Sequence, residues 1–380
     1  MNTVFCHAVP TYDDALILDA FSRILDESTA AKALCATSKV LLKPNLLAKH
    51  VPEHAVTTHP AVLRGAILAL KARGVTHMTV ADSSGGLYNA ASMHAIYKQS
   101  GLADVCAHTG AALYLDCASA PRQTNGVRVR SFNLIHPVFE ADFILNLPKF
   151  KTHVMTGMTG AVKNLFGTVP GLQKAEFHMR FPEKEPFGEM LVDLCEAVRP
   201  QLTVIDGIVG MEGDGPAGGT PRNIGVLLGG ENPYTLDLAM CRMMGLDAMA
   251  VPYLKAAHAR GLCAAALDIA LLAGDANAAA PLADFKLPES YAAINFSARA
   301  PRALRWAIPP VEKVLAPRPH IMKNACVGCG KCAEICPGKA IVIQNKTAKI
   351  EPQNCIRCFC CHEMCPAKAI SVHRFGIFNL

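Results

Sequence analysis

The chain has 380 residues, 51% of them hydrophobic, room for about two domains. No uninterrupted apolar run is long enough to span a bilayer, and Met1 to Pro10 lacks the basic start and apolar stretch of a secretory signal, so a soluble cytoplasmic protein is expected. The net charge is +6, but residues 323–380 hold eight Lys/Arg against three Glu, so five of those six charges lie there and nucleic-acid binding is discounted.

Val4 to Val9 reads as a strand. Asp13 and Asp14 precede a helical stretch, Ala15 to Leu25, and place acids where the helix dipole prefers them. Ser38 to Leu42 is the next strand and runs into Lys43-Pro44-Asn45. Pro60 suits a first helical position, and Ala61 to Ala72 keeps an apolar period that Gly74 ends. Strand Thr76 to Ala81 runs into Asp82-Ser83-Ser84-Gly85-Gly86. Then come a helix (Ala91 to Ser100), a strand (Ala112 to Asp116), a strand or hairpin arm (Val127 to Asn133) and a buried strand (Phe143 to Leu147). Helix Glu189 to Val198, strands Leu202 to Asp206 and Ile224 to Leu228, and helices Thr235 to Met244 and Val251 to Arg260 complete the run.

Such alternation with short turns predicts an α/β domain over residues 1–275, with a mostly parallel, Rossmann-like sheet and helices on both faces. Seven prolines interrupt residues 276–322, which read as a connector packed along that body, with Trp306 as a structural anchor.

Residues 323–380 carry one cysteine pattern twice: Cys326, Cys329, Cys332 and Cys336 before Pro337, then Cys355, Cys358, Cys361 and Cys365 before Pro366, displaced by 29 positions. Zinc sites usually pair two Cys-x2-Cys knuckles across a dozen or more residues, whereas here four cysteines fall within 11. Thiolates three apart in a tight loop can converge on one face of a cubane cluster, with the fourth supplied from elsewhere. Cys360 breaks the symmetry and reads as a small apolar filler. It and the seven other scattered cysteines read as reduced thiols of a reducing cell interior.

The repeated pattern closely resembles the bacterial two-[4Fe-4S] ferredoxin module, a small α+β unit. In such modules the fourth Cys of each run ligates the other cluster. The resemblance therefore implies Cys326, Cys329, Cys332 and Cys365 for one cluster, and Cys355, Cys358, Cys361 and Cys336 for the second. Two such clusters carry about −4 with their thiolates when oxidised, which offsets most of the local basic excess.

Outside the cysteines, Asn146 to His153 and Thr159 to Gly167 are the most informative stretches. They begin where a buried strand ends, and ligands of open α/β sheets sit beyond the carboxyl ends of strands. Lys149, Lys151, His153 and Lys163 fall within 15 residues among glycines and hydroxyls, a set that can present cations and backbone donors to an anion. The same strand-end logic adds Lys43, Asn45, Asp82, Ser83 and Asn164 as substrate-binding candidates. Asp206 and Glu212, on either side of a Gly-containing segment, could balance the lysines or supply a proton. No nicotinamide or flavin fingerprint, Gly-x-Ser-x-Gly elbow or His-Glu-x-x-His is present.

Taken together, Leu41 to Asn45, Asp82 to Gly86, Leu147 to His153, Lys163 to Gly167 and Asp206-Gly207-Ile208 resemble domain-of-unknown-function family 362, whose members often carry a ferredoxin-type module behind that domain. A more distant similarity, to the nickel-dependent lactate racemase fold, comes without a traceable metal-site motif. The expected function is electron transfer from the clusters to an anionic small molecule in the α/β domain, a reductive oxidoreductase with His153, Lys163 and Glu212 as catalytic groups. The alternatives are an electron carrier that docks a redox partner, and a non-redox isomerase or lyase with structural clusters. Clusters that face the basic stretch across a closed pocket favour the enzyme; clusters at an exposed far end favour the carrier.

Overall fold

The computed structural model describes residues 2–291 and 317–373; Trp306 and the centre of the Pro-rich connector lie outside the described residues. One ten-stranded sheet organises the body. Its path runs Leu272–Gly274, Val4–Ala8, Thr220–Gly230, Leu202–Glu212, Phe143–Leu147, Lys39–Pro44, His77–Val80, Ala112–Leu113. Thr220–Gly230 is antiparallel to both its neighbours, and every other pairing along that path is parallel. Phe143–Leu147 is buried along its whole length, as a near-continuous apolar run in a doubly covered parallel sheet should be.

Helices cover both faces. Asp14–Glu27 begins at Asp13, whose carboxylate accepts the backbone N–H groups of Ala15 and Leu16. It packs with Pro60–Ala72 over one face, through Phe21, Ile24, Leu63 and Ile67. On the other face, Lys184–Val198, Pro233–Met244 and Pro252–Ala259 contribute Leu191, Met240 and Tyr253 to the larger core. The expected mostly parallel, helix-covered α/β body is thus what the chain forms.

Two elements differ from expectation. The basic stretch beyond the buried strand is itself a strand: Lys149–His153 is fully buried and pairs antiparallel with Gly157–Thr159 and parallel with Leu202–Glu212. Its lysines survive burial because their ammonium groups meet carboxylates and carbonyls. The strand expected to end at Asp206 continues to Glu212, because Thr220–Gly230 folds back on it over 11 residues.

In the module, Arg318–Ile321, within the stretch read as connector, pairs with Ile370–His373, and Ile341–Gln344 pairs with Thr347–Ile350. Short helices, Lys331–Ile335 and Cys360–Glu363, follow the cysteine loops. The module sits directly on the body. Val154 packs with Phe359 and Val372, and Ala175 packs with Ile335, Cys358 and Cys360. Gly218 permits the close approach, since a β-carbon there would lie 2.5 Å from His362 Nε2. No helix among the described residues is long and apolar enough to cross a membrane.

Candidate functional site

A cavity of about 70 Å³ lies between the carboxyl ends of the body's strands and the module. From the body it is lined by Asn45, Asp82, Ser83, Lys151, His153, Thr159, Lys163, Asn164, Lys174 and His178, and from the module by Ile335, Cys360, Glu363 and Met364. Seven of the ten residues expected to bind or react are on its wall. Lys43, Lys149 and Glu212 are not.

The reason is charge pairing. Lys43 Nζ is 2.8 Å from Asp82 Oδ2 and also donates to the Pro44 carbonyl. Lys149 Nζ is 2.8 Å from Asp206 Oδ2 and donates to the Tyr12 hydroxyl. Both pairs are fully buried, so neither ammonium is free for a substrate, and Asp206 serves as the expected balance. The Glu212 carboxylate is held by Arg222 at 2.8 Å and by the Lys286 N–H, away from the cavity, which removes it as a proton source there.

The cations that remain differ in how they are used. Lys151 donates to the Val56 carbonyl at 2.7 Å, and burial together with the Lys163 charge pushes it down to about 7. Lys174 is taken up by Ser83 O, Ser83 Oγ, Ser84 O and Val169 O, and burial lowers it likewise to about 7. Lys163 has no hydrogen-bond acceptor and no ion-pair partner within 4 Å among the described residues, and rests 5.8 Å from the Phe166 ring. Burial pulls Lys163 down, while Glu363 opposes that shift.

Five buried polar atoms on the wall lack a hydrogen-bond partner: Asn45 Oδ1, His153 Nε2, Thr159 Oγ1, His178 Nδ1 and Glu363 Oε1. Orphans at this density are what a bound polar ligand or ordered water resolves. Two of these atoms face each other: His153 Nε2 lies 3.0 Å from Glu363 Oε1, a contact between body and module.

The tautomer of His153 follows from its other nitrogen. Nδ1 accepts the Met155 N–H at 3.0 Å, so the neutral ring carries its proton on Nε2, toward the cavity. Burial and the Lys163 charge push His153 down to about 3. Its ring is held neutral, with the proton on the nitrogen that faces the cavity. His178 is stacked on Phe187 at 4.4 Å, and burial lowers it to about 4.

An amide relay sets the polarity of one wall. Asn146 Nδ2 donates to the Ala161 carbonyl, which can only accept. Asn146 Oδ1 then accepts from Asn164, and Asn164 Oδ1 accepts from Asn45 Nδ2. That leaves Asn45 Oδ1 as an acceptor at the cavity.

The cysteines fall into two groups. Cys326, Cys329, Cys332 and Cys365 line one cavity. The Cys336 thiol interacts electrostatically with Cys355 and Cys358, and Cys361 with all three and with Cys332. Backbone N–H groups of Ala340, Ala348 and Ala369 point at the sulfurs of Cys336, Cys326 and Cys365 at 3.2–3.4 Å. Converging thiols with N–H···S donors are the donor set a [4Fe-4S] cluster takes, so the residues fit that cofactor.

Lys174, His178, Glu363 and Cys360 were not singled out as ligand-binding from the sequence. Lys174 and His178 stand four apart on the helix Gln173–Arg180, a spacing that puts both on one face. Glu363 was hidden inside the cysteine spacing, where its neighbours carried all the signal.

The family described as Domain of unknown function (DUF362) matches residues 40–242, and the 4Fe-4S dicluster domain matches residues 325–369. Thylakoid-associated protein sll1697 of Synechocystis sp. is 32% identical over 269 residues, which covers 70% of this chain and 81% of that protein. Among solved structures, the lactate racemase apoprotein from Thermoanaerobacterium thermosaccharolyticum overlays with a TM-score of 0.39 at 12% identity; the overlay covers 65% of this chain and 57% of that one.

Proposed function

This chain belongs to the DUF362 family and ends in a 4Fe-4S dicluster domain, and from that premise we propose that it is a cytoplasmic reductive oxidoreductase acting on a small anionic substrate between its two parts. The observation that carries the reading is the position of Cys360 and Ile335. Both line the cavity, and each adjoins a cysteine of the same group, Cys361 and Cys336. A pocket between the cysteine module and Lys163, the one lysine on its wall without an acceptor among the described residues, is the arrangement an enzyme needs and a simple carrier does not.

We assign one cluster to Cys326, Cys329, Cys332 and Cys365 and a second to Cys355, Cys358, Cys361 and Cys336. Bound there, the clusters supply electrons one at a time. Cys329 is exposed and Val327 in the same loop is 67% exposed, whereas no cysteine of the second group is exposed. That gradient suits a donor protein docking at the outer group and the inner group facing the substrate.

The chain's own groups divide the remaining work. Lys163 binds a negative oxygen of the substrate, and His153 Nε2–H donates to the charge that develops as the substrate is reduced. Lys151, poised at about 7, gives the proton that accompanies reduction. Asn45 Oδ1 accepts from a hydroxyl or N–H of the substrate.

The test is a titration of anaerobically reconstituted protein with small carboxylates and with phosphate, following the melting temperature and the EPR signal of the reduced clusters. An anion that raises the melting temperature, perturbs the EPR signal and loses both effects in Lys163→Met supports the enzyme. Clusters that reduce normally while no anion binds favour the electron carrier.

A further inference from the structure

A second cavity, of about 220 Å³, lies against the first. Ile335 and Met364 line both, and the loop that supplies Ser83 and Gly85 to the polar cavity supplies Ser84 and Gly86 to its neighbour. The second cavity differs in character. Its wall joins Leu87, Ile96, Leu172, Ile335, Met364 and Pro366 to Lys49, His50, Lys331 and Glu334. Leu87 is 48% exposed and Leu172 39% exposed, and both sit on this wall. Large aliphatic side chains left in water around a concave space mark a site that something apolar covers.

The partition between the two cavities is slight. Met364 is an unbranched thioether with several rotatable bonds, and its sulfur packs over Gly85, 3.1 Å from where a β-carbon would be. A side chain of that kind moves aside for a ligand more readily than a branched one. The inner cavity has room only for a small polar head, whereas the outer one exceeds the roughly 150 Å³ in which an apolar cavity takes up benzene.

We propose that the substrate is an amphipathic carboxylate whose head group meets Lys163 in the polar cavity and whose apolar tail, of aryl or short acyl size, lies in the adjoining cavity against Leu87, Leu172, Ile335 and Met364. The inference rests on the anionic-substrate reading above and narrows its chemical class. It also explains why the aliphatic wall lies beside the polar one: the tail anchors the molecule while the head is held under the module.

The experiment measures affinity of the full-length, cluster-loaded protein for acetate, butanoate, hexanoate and phenylacetate by anaerobic calorimetry. Each buried methylene should tighten binding about fourfold until the outer cavity is filled. In Leu172→Asp and, separately, Leu87→Asp, the gain from acetate to hexanoate should shrink to less than half as many fold. Both positions are partly exposed, so these variants keep the fold, which the unchanged cluster EPR signal verifies. Acetate binding with an affinity that stays flat along the series overturns the tail and leaves the anionic head standing. No binding of any carboxylate overturns both. A gain along the series that neither variant reduces places the tail elsewhere and overturns the assignment to this cavity.

Discussion

Glu363 of the cysteine module reaches His153 of the body, 3.0 Å between Oε1 and Nε2, and so places a carboxylate of the module inside the basic cavity. Burial opposes its charge, but the contact with His153 and the Lys163 ammonium hold Glu363 below the usual carboxylate range. Glu363 is thus an internal anion in a space built for one. Glu363→Gln should lower the melting temperature of the ligand-free protein, because buried cations lose their counter-charge. The same change should enlarge the stabilisation produced by acetate, since the competing carboxylate is gone. Differential scanning calorimetry with and without acetate reads both, and a variant that loses the acetate effect would show that Glu363 holds the ligand instead of competing with it.

Lys163 has no acceptor among the described residues, so its contribution to a ligand is not spent on them. A hydrogen bond to a charged group contributes on the order of 1.5–3 kcal/mol, so Lys163→Met should weaken acetate binding about 10- to 100-fold. Because the Lys163 charge helps hold Glu363 ionised, stability is compared in a Glu363→Gln background, where Lys163→Met should leave the ligand-free protein at least as stable as that background. A loss of both binding and stability would mean that the side chain is structural.

Lys149→Met should behave in the opposite way. Its ammonium neutralises Asp206 at 2.8 Å with both groups fully buried, and the substitution leaves that carboxylate alone. Breaking a buried pair from one side costs about 3–5 kcal/mol. Urea denaturation should show the loss in full, and restoring a partnerless neutral site with Lys149→Met plus Asp206→Asn should recover part of it.

These contrasts mark where the sequence was legible. Strand ends carrying Lys43, Asn45, Asp82 and Lys149 were readable from apolar runs that stop at polar residues, and all of them do gather at one sheet edge. Which lysines are spent was not readable, because Lys43 meets Asp82 from 39 positions away and Lys149 meets Asp206 from 57. That Lys149–His153 is itself a buried strand was not legible, because four of its five residues are polar and its pairing with Leu202–Glu212 is a tertiary fact. Glu363 and Cys360 enter the site only because the module docks, and docking leaves no local pattern.

The pH dependence should follow Lys151. Burial first, then the Lys163 charge, brings it to about 7, with Glu363 and Asp82 acting the other way and Lys149 adding to the lowering. The protonated form binds an anion, so acetate affinity should be greatest below pH 7 and fall as pH rises above it, toward tenfold per unit. Stability without ligand runs in reverse. The unfolded lysine keeps its proton up to about 10.5 while the folded one releases it near 7, so stability rises with pH between those values. Lys151→Met should flatten the affinity profile and reduce the stability slope, leaving the share that Lys174 contributes by the same route. An affinity profile unchanged in Lys151→Met would assign the titration to another group.

The crossed pattern of the cysteines gives the last prediction. Cys365 lines a cavity with the first run, and Cys336 stands with the second. Cys365→Ser should therefore disturb the cluster held by Cys326, Cys329 and Cys332, and Cys336→Ser the one held by Cys355, Cys358 and Cys361. Each variant should lose up to about half of the iron and one of two EPR components, because each removes one ligand of one four-thiolate set. The two differ in what survives beside the cavity. Cys336 adjoins Ile335 on the cavity wall, so the cluster that Cys336→Ser damages is the one an anion near Lys163 perturbs. In Cys365→Ser the surviving EPR component should still shift on acetate addition; in Cys336→Ser the surviving component should be indifferent to it. The reverse outcome would place the substrate beside the outer group and invert the direction of electron flow through the module.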